Sequence, residues 1–257
     1  MIPLASPLRV GCVSLGQGPR LDLEDLHQRL FSALGRRVEL VWRHVLDGIS
    51  HADLAAMAAR PGEPAIRSVL RSADPEEMGP LGRGWTSVWL DRDSFAPLVA
   101  QAVHALDPDV TLTIVCAAEV LPTLALSTRH PVVLPSQAMA GYAQILAASR
   151  PEAHIALVTY GDRQQRQQRD GWEALPWARA LTISFSTNGG DLDKAAADLA
   201  PLSPELIFVW AYGAGIQRGS PGPDELAAKT GAPVILASAA AVNFAHALLP
   251  PGQGDQP

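Results

Sequence analysis

Cysteine is almost absent from this 257-residue chain, where Cys12 and Cys116 are the only two. Both fall in stretches that read as strands of a parallel sheet, so a stabilising disulfide is not expected. The shortage also argues against a structural zinc site, and none of the seven histidines pair at the spacing that places two metal ligands on one helix face. Neither a metal nor a cofactor is expected. Runs of basic residues are missing too. Arg163, Arg166 and Arg169 alternate with glutamines on an expected helix, which suits a solvated face, and the net charge is -6. A nucleic-acid partner is therefore not expected. No apolar run approaches the length that spans a bilayer, and the N-terminus lacks a basic segment followed by an apolar one and a cleavage site. The expectation is a cytoplasmic protein with no membrane partner.

What is present describes an ordinary globule: 47% hydrophobic and 18% charged residues, in a chain long enough for one large domain or two modest ones. Strand-like runs alternate with helix-like ones. Leu8 to Ser14 reads as a first strand, leading through Leu15-Gly-Gln-Gly-Pro-Arg20 into a helix from Leu21 to Leu34. That loop lacks the lysine and the glycine spacing of a phosphate loop or a dinucleotide fingerprint, but Gly16, Gln17, Gly18 and Arg20 could hold a carboxylate. An ordinary loop with an exposed arginine fits equally well. Val38 to Trp42 reads as a strand, and Ser50 as the cap of a short helix to Ala59. Ala65 to Arg71 and Trp85 to Leu90 read as a β-hairpin projecting from the main sheet, suited to cover a site or to pair with a second subunit in a homodimer. Ser94 is expected to cap a helix to Leu106.

The central stretch is Asp109 to Pro122. Its β-branched run from Val110 to Val115 predicts a buried parallel strand, and Cys116-Ala117-Ala118-Glu119 a tight turn into a helix from Glu119 to Leu126. The thiol would then sit at the carboxyl edge of a sheet, where open α/β folds bind ligands; burial as a plain core cysteine is the alternative. From Pro131 onward the pattern echoes itself, with Ser136 and Ser238 expected to cap helices, and Cys116-Ala117-Ala118 matched by Ala211-Tyr212-Gly213-Ala214. The echo predicts two similar α/β lobes with a cleft between them. Residues 250–257 read as a disordered tail.

Gly16-Gln17-Gly18-Pro19-Arg20, Leu46-Asp47-Gly48-Ile49-Ser50 and Arg60-Pro61-Gly62-Glu63, with Cys116-Ala117-Ala118-Glu119 and Pro135-Ser136, make the chain similar to the AroM family within the wider aspartate/glutamate racemase superfamily. The resemblance implies two flavodoxin-like lobes with parallel sheets related by a pseudo-two-fold, and the hairpin read above would be an insertion in the first. The first lobe would be residues 1–135 with the returning helix 238–249, and the second residues 136–237. It further implies a small carboxylate ligand between the lobes and proton transfer beside that carboxylate by thiols, without a cofactor. AroM proteins themselves have no settled activity. Matching Gly213 to the glycine of the second thiol motif puts Ala211 where a second thiol would stand, so thiol/thiol racemisation is disfavoured. One-sided chemistry by Cys116, as in an isomerase or decarboxylase, stays open beside a non-catalytic binding or regulatory role.

Cys116 and Tyr212 are the catalytic candidates that follow. The thiol needs its pKa of about 8.5 lowered, which N–H groups at the following helix start would do, and a phenol at about 10 needs strong local help. Ser14, Gln17, Arg20, Ala117, Glu119, Ser136 and Gly213 are the candidate binding residues. Arg20 offers a planar fork that matches a carboxylate. Ser14 is equally a strand-end cap, Glu119 equally an acid in a first helical turn, and Cys12 a core residue.

Overall fold

Two runs of four strands dominate the chain. A computed structural model describes residues 8–121, 124–214 and 222–250. The first half forms β1 (Leu8–Ser14), α1 (Leu21–Ala33), β2 (Val38–His44), α2 (His51–Ala56), β3 (Ala65–Arg71), β4 (Met78–Gly79), β5 (Gly82–Arg83), β6 (Trp85–Asp91), α3 (Arg92–Leu106), β7 (Leu112–Val115) and β8 (Val132–Val133). The second forms α4 (Pro135–Ser149), β9 (His154–Val158), α5 (Asp162–Glu173), β10 (Thr182–Ser186), α6 (Leu192–Leu199), β11 (Leu206–Val209), α7 (Pro223–Thr230), β12 (Val234–Leu236) and α8 (Ala237–Leu248). The fold is α/β with two parallel four-stranded sheets, ordered β2-β1-β7-β8 and β10-β9-β11-β12.

Alternation along the strands divides the core into three. Leu112, Ile114 and Cys116 of the first sheet share one apolar cluster with Leu157, Phe208 and Trp210 of the second, closed by Ala240, Ala241 and Ala245 of α8. The opposite face of the first sheet packs Val13, Val115 and Ala117 against Ile66, Leu90 and Phe95, and that of the second packs Val158, Val209 and Ala211 against α6. A period of two in each strand thus feeds different cores. β3 and β6 form an antiparallel ladder from Ala65↔Asp91 to Arg71↔Trp85, which the loop after β1 meets closely. A Cβ on Gly16 would lie 2.5 Å from the Val69 carbonyl oxygen, so only glycine fits there.

The helix expected from Glu119 to Leu126 is not formed by the described residues of that stretch. Pro122 stands in its middle, where it would remove a helical hydrogen bond and clash with the preceding turn. The apolar repeat instead reports Leu121, Leu124 and Leu126, which pack on the outer core of the first sheet. Caps shift as well. Ser50 does cap α2, accepting from Asp53 N–H at 3.2 Å, but the helix stops at Ala56, short of Ala59. The α3 cap is Asp91, which accepts from Ser94 N–H at 2.8 Å, so Ser94 is a first-turn residue. Ser136 and Ser238 lie inside the first turns of α4 and α8 and make no cap hydrogen bond. Of the expected tail, residues 251–257 lie outside the described residues.

Candidate functional site

α1 presents Leu23, Leu26, His27 and Phe31 as its buried stripe, the i, i+3, i+4 spacing of a core-facing helix. His27 stands in that stripe with no exposure. Its Nδ1 lies 2.7 Å from the Leu23 carbonyl oxygen, which only accepts, so Nδ1 carries a proton. Nε2 is thereby left to face two groups from the two sheet ends: the Tyr212 hydroxyl at 2.9 Å and the Cys116 sulfur at 3.6 Å. Trp42 walls the imidazole edge-on at a ring separation of 5.5 Å.

Electrostatics inside this knot favour a charged pair. Burial pushes the Cys116 thiol up, but hydrogen bonds from Cys12, His27 and Tyr212 and the His27 charge bring it down to about 5. Burial pushes His27 down, and the Cys116 charge and hydrogen bond with the Leu23 carbonyl more than offset it, so the imidazole pKa is raised. Cys12 and Tyr212 move upward, chiefly by burial, and remain neutral donors. The two shifts run in the directions that favour a thiolate beside an imidazolium over a neutral thiol and imidazole. The tuning expected from a helix start after Cys116 is replaced by this one, because no helix begins there.

Cys116 faces a cleft of about 1290 Å³, with His27 buried behind it. Cys116, Tyr212, Arg20, Ala117, Glu119 and Gly213 all line it, with β3 along one side and the loop from Thr187 to Asp191 along another. A Cβ on Gly189 in that loop would meet Ala211 Cβ and the Thr159 carbonyl oxygen, each at 2.7 Å. Three expected binding residues are engaged elsewhere. Ser14 is fully buried, its hydroxyl 2.7 Å from His44 Nδ1. Gln17 ties its loop to β3, accepting from Arg71 N–H at 2.8 Å and donating to the Leu46 carbonyl at 3.4 Å. Ser136 is buried at the start of α4. Arg20 reaches the cleft, but its Nε and Nη2 donate to the two carboxylate oxygens of Asp22 at 2.8 and 2.7 Å.

Glu119, off any helix, accepts from Gln164 Nε2 at 2.9 Å. Burial raises its pKa to about 6, against the opposing hydrogen bond from Gln164 and the charge of Arg67. Tyr160 beside it is pushed up to about 12 by burial. Among the described residues no group of three or more His, Cys, Asp or Glu could hold a metal ion, and no helix is long and apolar enough to cross a membrane.

Ala211 is not the counterpart of Cys116. The Cys116 N–H donates to the Val13 carbonyl at 2.7 Å and the Trp210 N–H to the Val158 carbonyl at 2.9 Å, and Val13 pairs with Val115 as Val158 pairs with Val209. By register the equivalent residue is Trp210, and Ala211 faces the outer core. His27 was invisible as a site residue in the sequence, although a histidine four residues from both Leu23 and Phe31 on an apolar stripe was the available signal.

The family described as AroM protein matches residues 10–249. No curated protein sequence is matched. Among solved structures, allantoin racemase from Klebsiella pneumoniae is similar at a TM-score of 0.53 and 14% identity, over 94% of this chain and 87% of that one. An ABC transporter substrate-binding protein from Desulfitobacterium hafniense is matched at a TM-score of 0.33 and 16% identity, over 89% of this chain and 65% of that one. The first likeness shows a racemase-like fold.

Proposed function

The chain belongs to the AroM family, and from that premise we propose that it moves a proton at a carbon next to a carboxylate, using Cys116 as its single thiol and no cofactor. The contact at 3.6 Å between Cys116, on the wall of the cleft, and His27 buried behind it carries the reading. In it the thiolate takes a proton from the substrate carbon and, as the thiol so formed, returns it at another position of the same carbanion; in the decarboxylase form a proton passes from the His27 imidazolium through the sulfur to the carbanion left when carbon dioxide departs. His27 holds the complementary charge, and Tyr212 fixes the imidazole by its hydroxyl. Cys116, His27 and Tyr212 form one knot, so delivery is one-sided, as an isomerase or a decarboxylase requires. The two sheets serve as counterpart lobes around the cleft, the first completed by α8, whose residues share a core with α1 and β7.

Deuterium incorporation at the α-carbon of a panel of small carboxylic acids tests this by NMR. Exchange should fall at least about 1000-fold in Cys116→Ala, and exchange that survives the substitution would falsify the assignment. The second reading, a binding or regulatory protein on the same scaffold, is favoured by Trp210, a packed indole where a second thiol would otherwise stand. Ligand-induced stabilisation without exchange in either protein would support it.

A further inference from the structure

Three arginines line the cleft, and they differ in what they already hold. Arg20 is paired with Asp22 through two hydrogen bonds. Arg71 lies over the Trp85 ring at 4.1 Å. Arg67 lies over the Tyr160 ring at 4.7 Å and reaches Ser87 Oγ only at 3.4 Å, and it makes no ion pair among the described residues. Stacking fixes the plane of a guanidinium and leaves its donor edge free.

The strand that carries Arg67 offers more. Arg67, Ser68, Val69 and Arg71 all line the cleft, and consecutive residues do so only when a strand is presented edge-on. That edge is identified by its bonds. The Val69 carbonyl accepts from Gln17 N–H at 3.0 Å and the Arg71 N–H donates to Gln17 Oε1 at 2.8 Å, so the odd-numbered residues of β3 point their amides away from β6. The Arg67 N–H lies on the same open edge. Ser68 is 1% exposed, and its side chain leaves β3 on the opposite face from Arg67, with Ile66 and Leu70 of the outer core. The Arg67 guanidinium, whose charge also reaches the Glu119 carboxylate, thus stands beside a backbone N–H on an open strand edge, and a planar fork next to such a donor suits a carboxylate.

We propose that β3, and not the loop bearing Arg20, is the carboxylate-recognition element of the cleft. The guanidinium and N–H of Arg67 grip a small carboxylate, leaving its neighbouring carbon toward Cys116. Only that last orientation rests on the proton-transfer reading.

Calorimetric titration of the full chain with malonate and with its uncharged analogue malonamide tests the proposal. Malonate should bind and malonamide should not. Arg67→Met should weaken malonate by about 10- to 100-fold, as expected for a charge-assisted pair. Arg67→Lys should fall between, each in protein shown folded by circular dichroism. Malonate that fails to bind the wild type, binds Arg67→Met unchanged or is matched by malonamide overturns the proposal. Cys116→Ala separates the two readings: malonate binding that depends on Arg67 while exchange survives loss of the thiol leaves recognition standing and removes the chemistry.

Discussion

The ends of β7 and β11 occupy the same place in their sheets and make the same backbone bond, yet one ends in Cys116 and the other in Trp210. Cys116 has a histidine within reach and a cleft in front of it. Trp210 stands edge to face with Trp172 at 5.9 Å, and its indole N–H has no hydrogen-bond partner among the described residues. A shared scaffold thus fixes where a side chain emerges, while the neighbouring helices decide what it can do. The second sheet reaches the same histidine two residues later, through the Tyr212 hydroxyl, which lies 2.9 Å from Nε2 of His27 on α1.

The most direct way to break this contrast is to install the missing thiol. Trp210→Cys removes a large buried side chain, and should cost about 3–5 kcal/mol of stability in urea denaturation. It should add no exchange from the opposite substrate face, because Trp210 is absent from the cleft lining. Two-sided exchange in this variant, read as racemisation of a single enantiomer, would show that the two sheet ends share one site and that Trp210 is a spent catalytic position.

A second test removes what Trp210 lacks. His27→Gln keeps an amide near the Leu23 carbonyl but takes the positive charge from beside the sulfur. Exchange should fall about 100-fold, and thiolate formation, followed by alkylation rate against pH, should move up from about 5 past the value of a free thiol. The sign follows from burial, which raises the thiol pKa once the imidazolium no longer opposes it. An alkylation profile that stays in place would mean that Cys12 and Tyr212 suffice.

The alternation of apolar strands and helices made the α/β class and its parallel sheets legible, since a period of two or a continuous β-branched run needs no tertiary information. Cys116 was legible for the same reason, as the residue that ends such a run. His27 was not, because its partners come from positions 89 and 185 residues away, and separations of that kind carry no local pattern. The offset between Ala211 and Trp210 has a related cause. Glycine spacing aligned the two turns, whereas strand register, set by hydrogen bonds to Val13 and Val158, aligns the side chains. Arg20 was chosen for its fork, and the acid that occupies that fork sits only two residues further on, as Asp22.

The smallest expected effect concerns Glu119, which follows β7 in sequence but is held by Gln164 of α5, beside Arg67 and Tyr160. Burial raises its folded pKa from 4.5 to about 6. The folded protein therefore keeps this proton over a range in which the unfolded chain has lost it, and the resulting stability falls as pH climbs from about 4.5 through about 6. Glu119→Gln retains an acceptor for Gln164 and removes the titration. Above pH 6 the variant should be more stable than the wild type by about 1–2 kcal/mol, with the gap closing to nothing below pH 4.5, as measured by urea denaturation across that window. A gap that does not change with pH would place the Glu119 carboxylate in water, and would mean that the second sheet supplies Cys116 with a phenol but leaves the loop after it solvated.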